Sequence, residues 1–142
     1  MAIELHKKVA TAHAQVETAL HLYFAGRELY SVITIAGAAD ELLGQLLRSR
    51  GSPSSLDSIK AAVCAIHQHL YGTSIDPNSI ADGANAARNA LKHWAPGSPP
   101  EDSFDVVEEA RNMLNRAIDN YWSLEGKLTP KMERFQRESM AA

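Results

Sequence analysis

Apolar residues recur every three or four positions along almost the whole chain, and nowhere do they alternate strictly with polar ones between hairpin turns. That period is the helical one, so the expected fold class is all-α. Leu5, Val9, Ala12, Val16, Leu20 and Tyr23 form one stripe and predict a first helix from Ile3 to Phe24, ended by Gly26-Arg27. Val32, Ile35, Ala36, Ala39, Leu42, Leu43 and Leu46 form the inward face of a second, from Tyr30 to Ser49, closed by Gly51-Ser52-Pro53. Ser54 or Ser55 can cap a third, which carries Leu56, Ile59, Val63, Ile66 and Leu70 and stops before Gly72.

A fourth helix begins near Pro77-Asn78 and runs to Ala95-Pro96-Gly97. After a proline-rich break, a fifth from Ser103 to Leu124 offers Phe104, Val107, Met113, Leu114, Ile118 and Tyr121. The joints are short, so these elements predict an up-and-down bundle of about five helices. Residues 1–127 form the single bundle domain, and the charged stretch 128–142 is a short helix or a frayed tail. Gly37, Ala38 and Ala39 in the second helix, and Ala84, Ala86, Ala87 and Ala90 in the fourth, leave little bulk between backbones. Those two helices are expected to pack closely, with each other or across a dimer.

Composition narrows the class. The chain has 142 residues, 45% hydrophobic and 22% charged, enough for one globular core without cross-links. A net charge of -3 provides no global basic field, so any nucleic-acid contact must be local or assembled by oligomerisation. Cys64 is the only cysteine, which excludes an internal disulfide and a multi-cysteine zinc site. The first eight residues mix acid and base where a secretory leader needs an apolar run, so a cytoplasmic location is expected. The most hydrophobic stretch, Leu29 to Leu47, has Asp40 and Glu41 at its centre, where a charge costs about 2.5–3.5 kcal/mol on insertion scales, so no membrane span is expected. At least one of that pair is expected on a solvated or interfacial edge. Of the six histidines, His6, His13 and His21 read as one polar helix edge, and no Glu-x-x-His pair supplies a di-iron site, so no metal or cofactor is expected.

The candidate chemistry lies in Arg88-Asn89-Ala90-Leu91-Lys92-His93. Arginine is a permanently charged fork suited to phosphate, and histidine titrates near neutral pH. On a straight helix Arg88 and His93 point about 140° apart, whereas Asn89 and His93 share a face. Asn89 could orient the imidazole while the longer Arg88 reaches around, with Lys92 adding charge on the phosphate side. Arg48-Ser49-Arg50, at the end of the second helix, could join Arg88 if folded nearby.

Arg88, Asn89 and His93 resemble the signature of HEPN domains: an arginine, a polar residue, and a histidine four to six positions on, inside a small helical bundle. The resemblance implies a metal-independent ribonuclease without a cofactor, of the kind found in toxin–antitoxin, phage-defence and RNA-processing systems. RNA and an antitoxin-like protein are the partners it implies, and it places the catalytic cleft at a homodimer interface. Arg88 would stabilise charge on phosphorus, His93 would be base or acid, and Asn89 would orient His93 or the substrate. An acidic residue of the second helix, Asp40 or Glu41, would support the site. The run Asn89 to His93 also resembles an Asn-x-x-Lys-His run of small bacterial helical proteins, which implies no particular activity. The alternative is a non-catalytic interaction or ligand-binding module, in which Lys92 and His93 merely complement a helix C-terminus.

Overall fold

The structure is a computed structural model that describes residues 2–141. Six helices occupy the described residues: α1 (Lys8–Phe24), α2 (Leu29–Ser49), α3 (Ser55–Tyr71), α4 (Pro77–Ala90), α5 (Val106–Glu125) and α6 (Pro130–Ala141). No strand occurs among them, and none of these helices is long and apolar enough to cross a membrane.

The core lies between α1, α2 and α5. Val16 and Leu20 of α1, Ile33 and Leu43 of α2, and Leu114 and Ile118 of α5 are excluded from solvent. The charged C-terminal stretch takes the helical form: Met132 and Phe135 of α6 are buried, and the Phe135 ring meets Tyr23 of α1 edge-on at 5.3 Å. α1 and α2 are joined by a four-residue turn in which Gly26 takes φ 66°, a left-handed conformation that stops the first helix.

Along α2 and α5 the register rises together: Gly37 lies by Met113, Asp40 by Arg116, and Gly44 by Asn120. These two neighbours therefore run parallel, a departure from strict up-and-down alternation. The crossover through α3 and α4 makes it possible. That pair leans against the edges of α5 and α2 rather than completing the core.

Four local expectations change. α1 begins at Lys8, so Leu5 lies outside it and is fully exposed; nothing packs on the segment before it, and Lys7 provides no side-chain cap. α4 ends at Ala90, five residues before Ala95, and the Asn89 carbonyl accepts from both Lys92 N (3.1 Å) and His93 N (3.0 Å) as the last turn tightens. Pro96 disfavours helical geometry at Ala95. α5 starts at Val106, where Asp105 Oδ1 caps the amides of Val107 and Glu108, leaving Phe104 ahead of the helix and Val107 exposed. Finally, the α3 stripe is covered only at Leu56; Ile59, Val63, Ile66 and Leu70 face solvent.

Candidate functional site

Asp40 projects from the buried face of α2, on the same side as Ala36, Leu43 and Leu47. A carboxylate there needs partners, and α5 supplies them. Arg116 Nη2 donates to Asp40 Oδ2 at 2.6 Å, and Asn120 Nδ2 donates to Asp40 Oδ1 at 3.0 Å and to its carbonyl at 3.2 Å. Burial raises the Asp40 carboxyl above its ordinary pKa; Arg116, and more weakly Arg88 and Arg48, pull the other way.

The same two α5 side chains hold the neighbouring helices. Arg116 Nη1 donates to the Ala84 carbonyl (3.2 Å) and Asn85 Oδ1 (2.9 Å) of α4, and Asn120 Oδ1 accepts from the Ser55 amide (2.7 Å) at the start of α3. Arg116 and Asn120 were not singled out by the sequence reading. They are one helical turn apart on the edge of the stripe formed by Met113 and Ala117. A charged and an amide residue flanking an otherwise apolar face is the signal that could have found them.

Above this hub lies a small cleft of about 110 Å³ that gathers Arg48, Arg88 and Arg116 with Asp40, Glu41 and Asn85. Arg88 reaches it because Gly37 has no side chain: a Cβ there would sit 2.5 Å from Arg88 Cδ. This is where the small residues of α2 and α4 allow close approach. Arg88 Nη1 is 4.0 Å from Glu41 Oε2, and Glu41 is on the solvated side while Asp40 is buried. Arg88 Nε and Arg116 Nε are both buried and find no acceptor among the described residues.

Arg48, at the end of α2, is held by Asp57 through Nε–Oδ2 (3.0 Å) and Nη2–Oδ1 (3.1 Å). Asp57 also closes a capping box with Ser54 at the head of α3. These contacts, the Arg48 guanidinium first, hold the Asp57 carboxyl well below the ordinary carboxylate range.

The structure thus brings Arg88, Asp40 and Glu41 together, with Arg48 beside them. Asn89, Lys92 and His93 are exposed, and none of the three lines the cleft. His93 lies beyond the end of α4, so its link to Asn89 runs through the backbone rather than through the amide side chain. Among the described residues no three His, Cys, Asp or Glu side chains converge as a metal site requires.

Chemically, the cleft gathers three guanidinium groups beside carboxylates that fix their orientation, an arrangement suited to binding a phosphate. Comparison with protein-family models, curated proteins and solved structures finds no match to this chain.

Proposed function

We propose that this chain binds RNA at the Arg88 cleft and cleaves it without metal, as a HEPN-like ribonuclease acting as a homodimer. The observation that carries the reading is the placement of Arg88: its stem lies on Gly37 and its head lies beside Glu41 in the cleft, where a guanidinium can meet a phosphate. The resemblance implies an acidic partner from α2, Asp40 or Glu41, and Glu41 Oε2 lies 4.0 Å from Arg88 Nη1. Cleavage by attack of the ribose 2′-hydroxyl needs a base, an acid and a group that stabilises the extra charge on phosphorus. Arg88 serves the last purpose and Lys92 adds charge on the approach. His93 serves as base or acid, and the Asn89 carbonyl, which accepts from His93 N, anchors its backbone at the end of α4. One chain has one such histidine in the motif, and a two-fold dimer provides two.

One observation favours a second reading. His93 lies outside the cleft that holds Arg88, which suits a module that binds a phosphate or nucleotide without breaking a bond.

Incubation of purified protein with a mixed labelled RNA in excess EDTA separates the two. Cleavage by wild type, abolished by His93→Ala with folding unchanged, supports the nuclease. Binding without cleavage, lost in Arg88→Ala and kept in His93→Ala, supports the binding module. No binding and no cleavage by wild type refutes both.

A further inference from the structure

At the end of α4 lies a second recess, of about 260 Å³, lined by Tyr30 from the start of α2, Leu91 just past α4, Asp102 and Phe104 in the α4–α5 connection, and Val106 at the start of α5. Two aromatic rings, two aliphatic side chains and one carboxylate therefore meet in it. Part of the wall is anchored: Leu91, Phe104 and Val106 pack against the core. The connection that leads to Asp102 is tied back on itself, since Trp94 Nε1 donates to the Pro99 carbonyl (3.3 Å) and the Ser98 amide to the Ala95 carbonyl (3.0 Å). Tyr30 and Asp102 are exposed and open to a ligand.

Leu91 puts this recess inside the run that carries the candidate chemistry. It follows Arg88 by three residues, about 4.5 Å along a helix axis, and directly precedes Lys92 and His93. On α2, Tyr30 of the recess and Glu41 of the Arg88 cleft are eleven residues apart, about 16 Å. A few nucleotides of single strand span that distance. A strand running from the cleft to the recess passes Leu91 with Lys92 and His93 beside it.

The lining selects which part of such a strand enters. No cation lines the recess and Asp102 repels phosphate, so the backbone is excluded. Bases of a single strand are recognised by stacking on aromatic rings and by hydrogen bonds to their Watson–Crick edges. Tyr30 and Phe104 offer ring faces, Leu91 and Val106 an apolar wall, and Asp102 two acceptor oxygens side by side. Paired acceptors select paired donors. Guanine presents N1–H and the N2 amine together on its Watson–Crick edge, whereas adenine, cytosine and uracil each set an acceptor beside their donor. An acid on the path of a polyanion lowers affinity for the backbone, and taking donors from a base offsets that cost.

We propose that the recess seats a guanine of single-stranded RNA, with Asp102 accepting from N1–H and the N2 amine and Tyr30 stacking on the ring. The preferred substrate of the Arg88 cleft is then an unpaired strand with a guanine a few nucleotides from the phosphate that Arg88 holds. This deepens the proposed function and rests on that reading for the RNA itself. Asp102 and Tyr30 set the choice of base, and Arg88 sets affinity for any strand.

Fluorescence anisotropy of the full chain with short labelled oligouridine strands carrying one guanine, inosine or adenine tests it. Titrations run in wild type and in His93→Ala, so that cleavage does not consume the strand. The guanine strand is expected to bind about tenfold tighter than the adenine strand, with inosine, which lacks the N2 amine, between them. Asp102→Asn sets a donor beside an acceptor and is expected to abolish the guanine preference and move it toward adenine. Tyr30→Ala is expected to weaken all three strands about fivefold through lost stacking. Arg88→Ala is expected to weaken all three and leave their ratio unchanged. Asp102 lies outside every helix and both recess side chains are exposed, so helicity is expected to stay as in wild type. Equal affinity of wild type for the three strands overturns the inference and leaves RNA binding at Arg88 standing, as does a guanine preference that survives Asp102→Asn. Absence of binding to every strand refutes the function and the inference together.

Discussion

α3 and α5 carry the same kind of sequence pattern and meet opposite fates. Each has a capped start and a stripe of large aliphatic residues three and four apart. In α5, Leu114 and Ile118 are 0% and 1% exposed; in α3, exposure climbs from 9% at Leu56 through 37% at Ile59 to 64% at Leu70. α3 is fixed at its head, where Asp57 pairs with Arg48 and the Ser55 amide donates to Asn120, and then draws away from the body. A 3.6-residue period says that a helix forms and which face is apolar, but it does not say what covers that face. In this chain the cover follows the polar contacts. α5 is central because Arg116 and Asn120 engage α2, α3 and α4 at once, whereas the polar anchor of α3 acts on its first turn alone.

The sharpest way to break that contrast is to remove the hub. Arg116→Ala strands Asp40 in the interior and frees the Ala84 and Asn85 contacts of α4. Loss of one partner of a buried pair costs about 3–5 kcal/mol, read as a fall in the urea midpoint at constant slope. The double change Arg116→Met with Asp40→Leu is expected to recover most of it, since an apolar pair leaves no uncompensated charge. If Arg116→Ala were harmless, the pair would have no central structural role.

A smaller effect compares the stripes directly. Ile118→Ala opens a cavity among residues hidden from solvent and is expected to cost about 2–5 kcal/mol, while Ile66→Ala on α3 trims an exposed side chain and should cost under about 0.5 kcal/mol. Equal costs in the same denaturation series would show that the α3 stripe is buried in solution against something outside the chain.

Much of the fold was legible because helix existence is a local matter. The Ser54 cap, the Pro77 start and the stops at Gly26 and Gly72 all depend on residues within a few positions of one another. Partnership between helices is not local. That α2 and α5 run parallel depends on Gly37, Gly44 and the Asp40–Arg116 pair, which join residues far apart in the chain. The same division runs through the site. Arg88 was legible from its short run with His93, and Asp40 and Glu41 from their place in an apolar helix. Arg116 and Asn120 leave a trace in the sequence, as polar residues flanking an apolar face, but their partner Asp40 is 76 and 80 positions away and is met only when α5 is set beside α2. The end of α4 at Ala90 was obscured because alanine, leucine and lysine all favour helix up to Trp94, and only Pro96 argued against.

The smallest effect concerns acid, and it divides α3 from α5 by sign. Asp57 at the head of α3 has its pKa lowered in the folded chain, first by the Arg48 hydrogen bond and then by the Ser54 backbone and side chain. A depressed carboxylate contributes stability that is fully present above its unfolded pKa of about 3.9 and is lost as pH falls below that, through the folded value. The acids around α5 shift the other way. Asp40, Asp119 and Glu109 are raised, each chiefly by burial, Glu109 also by its neighbour Glu108. A raised acid binds its proton more readily when folded, so its contribution grows as pH falls from neutral toward the unfolded value and is constant below it. Stability is therefore expected to rise slightly on mild acidification and to fall below about pH 4. Asp57→Asn removes the falling limb attributable to α3 and costs about 1 kcal/mol at neutral pH through loss of its part in the cap. Amide exchange followed residue by residue locates the effect: in Asp57→Asn at neutral pH, protection drops first over the opening turn of α3 and leaves α5 unchanged. Uniform loss across both helices would mean that the head of α3 is part of the central cooperative unit.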